Sequence, residues 1–299
     1  MPEVVLPGVW VVLLEVVLGL ASGVVFGASR TRRAAAAALV LLGLVVPFLG
    51  DPAEPAARAL AGLGAMLGVM RLIEAHRLRA PLPIPRALGW VLPVDLVALR
   101  RAAPRVATDA LGSAGAHAVL LAAGVTLVAA RARCGASAPL VAWLGGTLAL
   151  YGAVDVASST LRAFLAAFGI ESAPMQRHPV LSASVSEFWG ERWNRAVGAW
   201  LWRQCVVPAM RRGGRLAGIA AAFGWSALLH FYSVLAGVGV GPALCMAAFF
   251  VVEGLAVLIE TRLSVRTWPR PLARLWTFAL VLGPSWLFVG PVLEIFGVG

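Results

Sequence analysis

The sequence predicts an all-α fold, a polytopic transmembrane helical bundle of about eight spans with an interfacial helix and a re-entrant segment, and three observations point to it. Of the 299 residues 60% are hydrophobic and 13% charged, with a mean hydropathy of +0.87, a balance that soluble domains do not normally show. Apolar stretches long enough to cross a bilayer recur along the chain, and a crossing needs about 20 such residues. The net charge of +11 is carried by arginines that collect between those stretches, as the loops on the cytosolic side of a membrane do. The basicity is therefore read as topology. No basic face with stacking aromatics stands clear of the apolar segments, so no nucleic-acid partner is expected.

Taken in order, the expected spans cover residues 9–28, 34–49, 56–73, 110–130, 140–168, 216–237, 243–259 and 275–296. All of them belong to one integral membrane domain, 1–299. The first is expected to be retained, because Met1-Pro2-Glu3 carries none of the positive charge that opens a cleaved signal peptide. Gly19, Gly23 and Gly27 recur along it at four-residue steps and leave room for a second helix to approach closely. Residues 87–99 are too few to cross and contain Pro93 and Asp95, which makes them the interfacial or re-entrant piece. The alanine run at 34–38 fits an ordinary helix.

Orientation follows the arginines. Arg30, Arg32 and Arg33 follow the first span, and Arg71, Arg77, Arg79 and Arg86 follow the third, which puts both loops in the cytosol and both termini in the periplasm of a bacterial inner membrane. Arg131 and Arg133 fall on the opposite side of this scheme. Cys134, Cys205 and Cys245 have no metal-ligand or redox spacing and are expected as buried small hydrophobes. No metal site is expected.

The chemistry concentrates in residues 174–260. Ser184 and Glu187 are spaced as a capping box, so a helix should start there. On it Trp189, Trp193, Val197 and Trp200 fall on one side, with Glu187, Glu191 and Asn194 on another, the pattern of an amphipathic helix at the membrane surface. A membrane anchor would account for the tryptophans and for snorkelling Arg192, Arg195 and Arg203, but an amide such as Asn194 gains nothing from lipid. His230 lies inside the span 216–237, where an ionisable group costs several kcal/mol or finds a partner. Ser226, His230, Ser233 and Gly237 share one face of that helix. Such a stripe lines either a cavity or a helix contact. His76, His117 and His178 have no second feature beside them and are read as ordinary loop or span-end residues.

The run Pro174-Met-Gln-Arg-His-Pro179, then Ser184-Val-Ser-Glu-Phe-Trp-Gly-Glu-Arg-Trp-Asn194, then the intramembrane His230 resembles the wax synthases of the membrane-bound O-acyltransferase superfamily. The Phe-Trp-Gly-x-Arg-Trp-Asn box is its specific part, and the overlap covers about 174–260. By that resemblance Asn194 and His230 are the two catalytic residues; Trp189, Arg192 and Trp193 of the box and Ser226 and Ser233 of the polar stripe are expected around the substrate. The resemblance implies a long-chain acyl-CoA as co-substrate, a lipid alcohol as acceptor, surrounding membrane lipids and no further cofactor. An imidazole that takes the alcohol proton as the new bond forms suits that reaction. Asn194 then orients the donor or binds the developing oxyanion. Arg192, Arg195, Arg203, Arg211 and Arg212 would offer guanidiniums to the donor's phosphates, the last two fitting loop charges better. Phe231 stands where members of the family often carry an acidic residue after the histidine, and Glu253, in the next span, is the substitute partner the sequence offers. Diacylglycerol, a sterol-like molecule or a sugar are alternative acceptors, and a transporter that uses His230 in a proton or substrate path is the non-enzymatic alternative.

Overall fold

A computed structural model describes residues 5–75, 77 and 82–298. Met1-Pro2-Glu3, His76 and Arg79, used in the readings above, lie outside the described residues. Eight segments among the described residues are helical, long and apolar enough to cross a membrane: Gly8–Val25, Arg30–Leu49, Pro55–Ala75, Thr108–Arg133, Gly135–Ala167, Arg195–Val238, Val240–Arg262 and Arg270–Ile295. Leucines, valines and aromatics stand exposed on all of them, which is stable only where the solvent is hydrocarbon. The protein is an integral membrane helical bundle.

Helices α1 (Gly8–Val25), α2 (Arg30–Gly43) and α3 (Pro55–Ala75) pack together around Val11, Leu18, Val46 and Ala61. The short α4 (Arg86–Val91) lies against α1 at the glycines the sequence singled out. A Cβ on Gly23 would fall 2.7 Å from the Ala87 backbone, and one on Gly19 would fall 2.8 Å from Val91. Gly27 instead makes room for the Arg32 side chain. After α4 the chain makes a short turn and pairs Arg100–Arg101 (β1) antiparallel with Ile170–Glu171 (β2). The expected re-entrant piece, 87–99, is thus most of a six-residue helix followed by loop and a 3-10 turn at Leu96–Ala98.

Helices α5 (Thr108–Ala130) and α6 (Ala138–Ala167) form a tight hairpin. Gly124 meets the Ala149 nitrogen, Gly145 the Gly124 carbonyl, and Gly152 the backbone of Leu121 and His117, so no side chain fits between the two backbones there. The hairpin settles the fourth and fifth spans as two separate helices.

The expected single surface helix from Ser184 does not form. Ser184 Oγ accepts from the Glu187 N–H at 3.0 Å and Glu187 accepts from Ala183 at 2.8 Å, so the start is as the spacing predicts. The helix α7 (Val185–Glu187) then widens into a π-turn over Phe188–Arg192 and breaks at Trp193 and Asn194. Asn194 adopts a left-handed conformation (φ 39°) and begins a new helix, α8 (Arg195–Leu201), whose Val197 N–H it caps. Asn tolerates that conformation better than most residues and caps well, which gives this amide a structural reason the sequence did not reveal. The tryptophan stripe is split by the break: Trp200 is buried on α3 with its indole N–H donated to the Met70 carbonyl.

Helix α9 (Val207–Val238) kinks at Gly213 and Gly214, the latter at φ 70°, and is an uninterrupted helix from Arg215 onward. Helix α10 (Val240–Arg262) packs along it. The last span is two helices, α11 (Arg270–Leu282) and α12 (Trp286–Ile295), joined by a tight turn at Gly283–Ser285.

Candidate active site

A cavity of about 1060 Å³ opens between α6, α8, α9, α10 and the last two helices. On α9 it is lined by Arg215, Gly218, Ile219, Ala222, Phe223, Ser226 and His230. These recur at three- and four-residue steps, so they are one face of one helix. At about 1.5 Å per residue the cavity runs roughly 20 Å along that face from Arg215 to His230.

The stripe the sequence identified is divided at His230. Ser226 belongs to the cavity. Ser233, one turn further, does not: it is 4% exposed, donates to the Leu229 carbonyl at 3.1 Å and packs over Gly62 of α3. Helix contact takes over where the cavity ends.

His230 is gripped from one side only. Its Nδ1 is 2.8 Å from the Ser226 carbonyl oxygen, and a carbonyl can only accept, so Nδ1 carries a proton and the neutral ring has its lone pair on Nε2. Nε2 has no hydrogen-bond partner among the described residues. Phe250 and Phe288 pack on the ring with centroids at 4.3 and 5.7 Å. The result is an oriented imidazole in an apolar wall.

Glu253 does not pair with His230. It is fully buried, and its Oε2 accepts from the Trp189 indole N–H at 2.8 Å. That bond fixes Trp189 in the cavity wall, edge-on to Phe223, Phe249 and near Phe250. Trp193 also lines the cavity, stacked between Phe188 at 5.6 Å and Tyr151 at 6.0 Å. Asn194 lines it beside them. Its Oδ1 is used by the cap, and its Nδ2 donors have no partner among the described residues.

Arg192 is not a cavity residue. Its guanidinium binds Glu187 at 2.7 Å and reaches the carbonyls of Arg177 and His178, holding the π-turn to the preceding loop. Burial works against a charge on Glu187, but the Ala183 N–H and the Arg192 guanidinium outweigh it and hold this carboxyl below the usual range. Arg177, Arg195, Arg203 and Arg215 line the cavity, whereas Arg211 and Arg212 are exposed before the kink and do not. Arg203 is engaged by Glu74 at 2.9 Å and Asp95 at 2.8 Å, so it is spoken for within the fold. His178 is exposed outside the cavity lining. The three cysteines are free and half-buried, less enclosed than expected. No group of residues suited to a metal ion occurs among the described residues.

The sequence reading missed a polar cluster beside the cavity wall. His117 of α5 lies 2.9 Å from Asp155 of α6, and Ser113 and Ser159 also bind that carboxylate. Asp155 stands within a span as Glu253 does, and the same cost of an ionisable group in hydrocarbon marks it.

Fold and site together define a polytopic helical membrane protein with a deep, mostly apolar cavity, arginines along its outer part and a free imidazole nitrogen at its inner end. No family model matches the chain. Over 140 residues it is 31% identical to the probable long-chain-alcohol O-fatty-acyltransferase 1 of Arabidopsis thaliana, covering 42% of this chain and 41% of that relative. It is 28% identical over 139 residues to the probable long-chain-alcohol O-fatty-acyltransferase 2 of the same plant, covering 42% and 40%. It is 29% identical over 144 residues to number 3, covering 42% and 41%. The match spans about two fifths of the length of these relatives.

Proposed function

We propose that the protein is a membrane O-acyltransferase that moves a long-chain fatty acyl group from acyl-CoA to the hydroxyl of a long-chain alcohol. The observation that carries this reading is the unpartnered Nε2 of His230 at the inner end of a cavity some 20 Å deep. The names of the similar plant proteins support the acyl group and the alcohol.

In this reaction the alcohol gives its proton to Nε2 as its oxygen attacks the thioester carbonyl carbon. The tetrahedral intermediate then expels the thiolate, which takes the proton back from the imidazolium. No acyl-enzyme is needed. The Nδ2 donors of Asn194 are free to hold the thioester oxygen as it becomes an oxyanion. The charged head of the donor stays at the rim near Arg177, Arg195 and Arg215, which we assign to the cytosolic face of a bacterial inner membrane, while the acyl chain enters between Phe223, Phe249 and Trp189.

The test is ester formation by membranes given labelled long-chain acyl-CoA and a long-chain alcohol. His230→Ala at normal abundance is expected to lower the rate by about 100- to 10,000-fold. An unchanged rate removes His230 from the reaction. Comparing lipid extracts of expressing cells for wax esters, triacylglycerol and acylated polar products identifies the acceptor.

A further inference from the structure

The polar cluster between α5 and α6 has no task in acyl transfer as drawn above. Asp155 is 4% exposed in the middle of a span. Its Oδ2 accepts from Ser113 Oγ at 2.7 Å and Ser159 Oγ at 3.1 Å, and lies 2.9 Å from His117 Nδ1. Nδ1 is also 2.9 Å from the Ser113 carbonyl oxygen. The carboxylate and the carbonyl can only accept, so Nδ1 carries a proton, with Ser113 Oγ a third, longer neighbour at 3.5 Å. Nε2 has no hydrogen-bond partner among the described residues.

The position of this nitrogen sets its meaning. Helix α5 packs on α6 and little else, and its outer apolar side chains stand free, Val119 at 69% exposure among them. The imidazole is 19% exposed on this outer helix. Against its edge lies Tyr151, centroids 5.1 Å apart, and Tyr151 stacks in turn on Trp193 and lines the cavity. The cluster is therefore one aromatic ring behind the cavity wall, on the side of the bundle most open to lipid.

Acyl tails cannot satisfy a fixed ring nitrogen in hydrocarbon, whereas the hydroxyl of an amphiphile, which both donates and accepts, can. We propose that His117, oriented by Asp155, is a docking point for the hydroxyl of a long-chain alcohol arriving from the bilayer. Asp155 is the positioning residue and His117 the contact. The later fate of the alcohol rests on the acyl-transfer reading, but its binding here does not.

The experiment uses the full-length protein in phosphatidylcholine nanodiscs with a long-chain alcohol carrying a photoreactive group on its tail. Peptides from α5 and α6 should be labelled, with hexadecanol competing and hexadecane not competing. His117→Phe keeps a ring against Tyr151 but has no ring nitrogen, and His117→Asn, whose amide reaches only as far as Nδ1, keeps a donor for Asp155 with no polar atom at the Nε2 position. Both should weaken hexadecanol competition roughly five- to tenfold, the loss of one hydrogen bond, with the melting temperature confirming a folded protein. Equal competition by hexadecane, or wild-type affinity in both variants alongside a lowered melting temperature, overturns the proposal and leaves the cluster a clasp between helices. Wild-type protein that binds hexadecanol through His117 yet forms no ester would retain the docking site and discard acyl transfer. Normal ester formation with labelling unaffected by either variant would do the reverse.

Discussion

Asn194 caps α8 through Oδ1 and leaves Nδ2 without a partner beside the cavity, and one substitution separates those two properties. Asn194→Asp keeps a capping acceptor and tolerates the left-handed backbone, but it puts acceptor oxygens where the amide had donors. The melting temperature should stay close to wild type, while ester formation drops by roughly 100- to 1,000-fold, as when an oxyanion donor is removed. A variant with full activity would leave Asn194 a cap only. Asn194 and His230 could be singled out in the sequence because lipid offers an amide or an imidazole nothing. Ser233 falls outside the cavity lining because spacing tells which residues share a face but not where along that face a cavity stops, and Arg192 falls outside it because its guanidinium is taken by Glu187 and two loop carbonyls. The sequence singled out Glu253 correctly as an unusual residue, yet its bond goes to Trp189, 64 residues earlier, a pairing no local pattern encodes.

At the scale of elements, the α5–α6 hairpin depends on bare backbone. A Cβ on Gly124 would stand 2.4 Å from the Ala149 nitrogen, and the obstruction is main chain, so the helices themselves must move apart. Gly124→Val should cost about 1–3 kcal/mol, the usual scale of overpacking, and should lower the melting temperature in detergent. The same change at Gly112, which has open space around it, should not. The glycines of α1 were recognised by their four-residue spacing, while those of the hairpin interlock from two helices and show no such run. The break at Trp193 and Asn194 was hidden for another reason. The capping box and the aromatic stripe both favour a continuing helix, and the π-turn that undoes it is fixed by Arg192, which binds Glu187 and donates to the carbonyls of Arg177 and His178.

Across the whole molecule, one ionic network joins the amino-terminal helices to the cavity. Arg71 binds Glu74 at 2.8 Å and the carbonyls of Leu92 and Val94, while Arg203 binds Glu74 and Asp95. Arg203→Met leaves Asp95 without its cation and Glu74 with one instead of two. The expected loss is about 3 kcal/mol, near the lower end for breaking a buried pair because the guanidinium is 29% exposed, and is read as a fall in melting temperature. An unchanged melting temperature would mean that water replaces the guanidinium. The eight spans were legible because hydropathy is a property of each segment alone. The network was not, since Arg203 and Glu74 are 129 residues apart. Between Arg215 and His230 α9 is an uninterrupted helix, and its non-helical residues, Gly213 and Gly214, lie outside that interval. The rise between guanidinium and imidazole is therefore set by the helix at roughly 20 Å. In the proposed reaction a thioester whose spacer is too short or too long is expected to hold its reacting carbon out of register with Nε2, with no kink in that interval to close the gap.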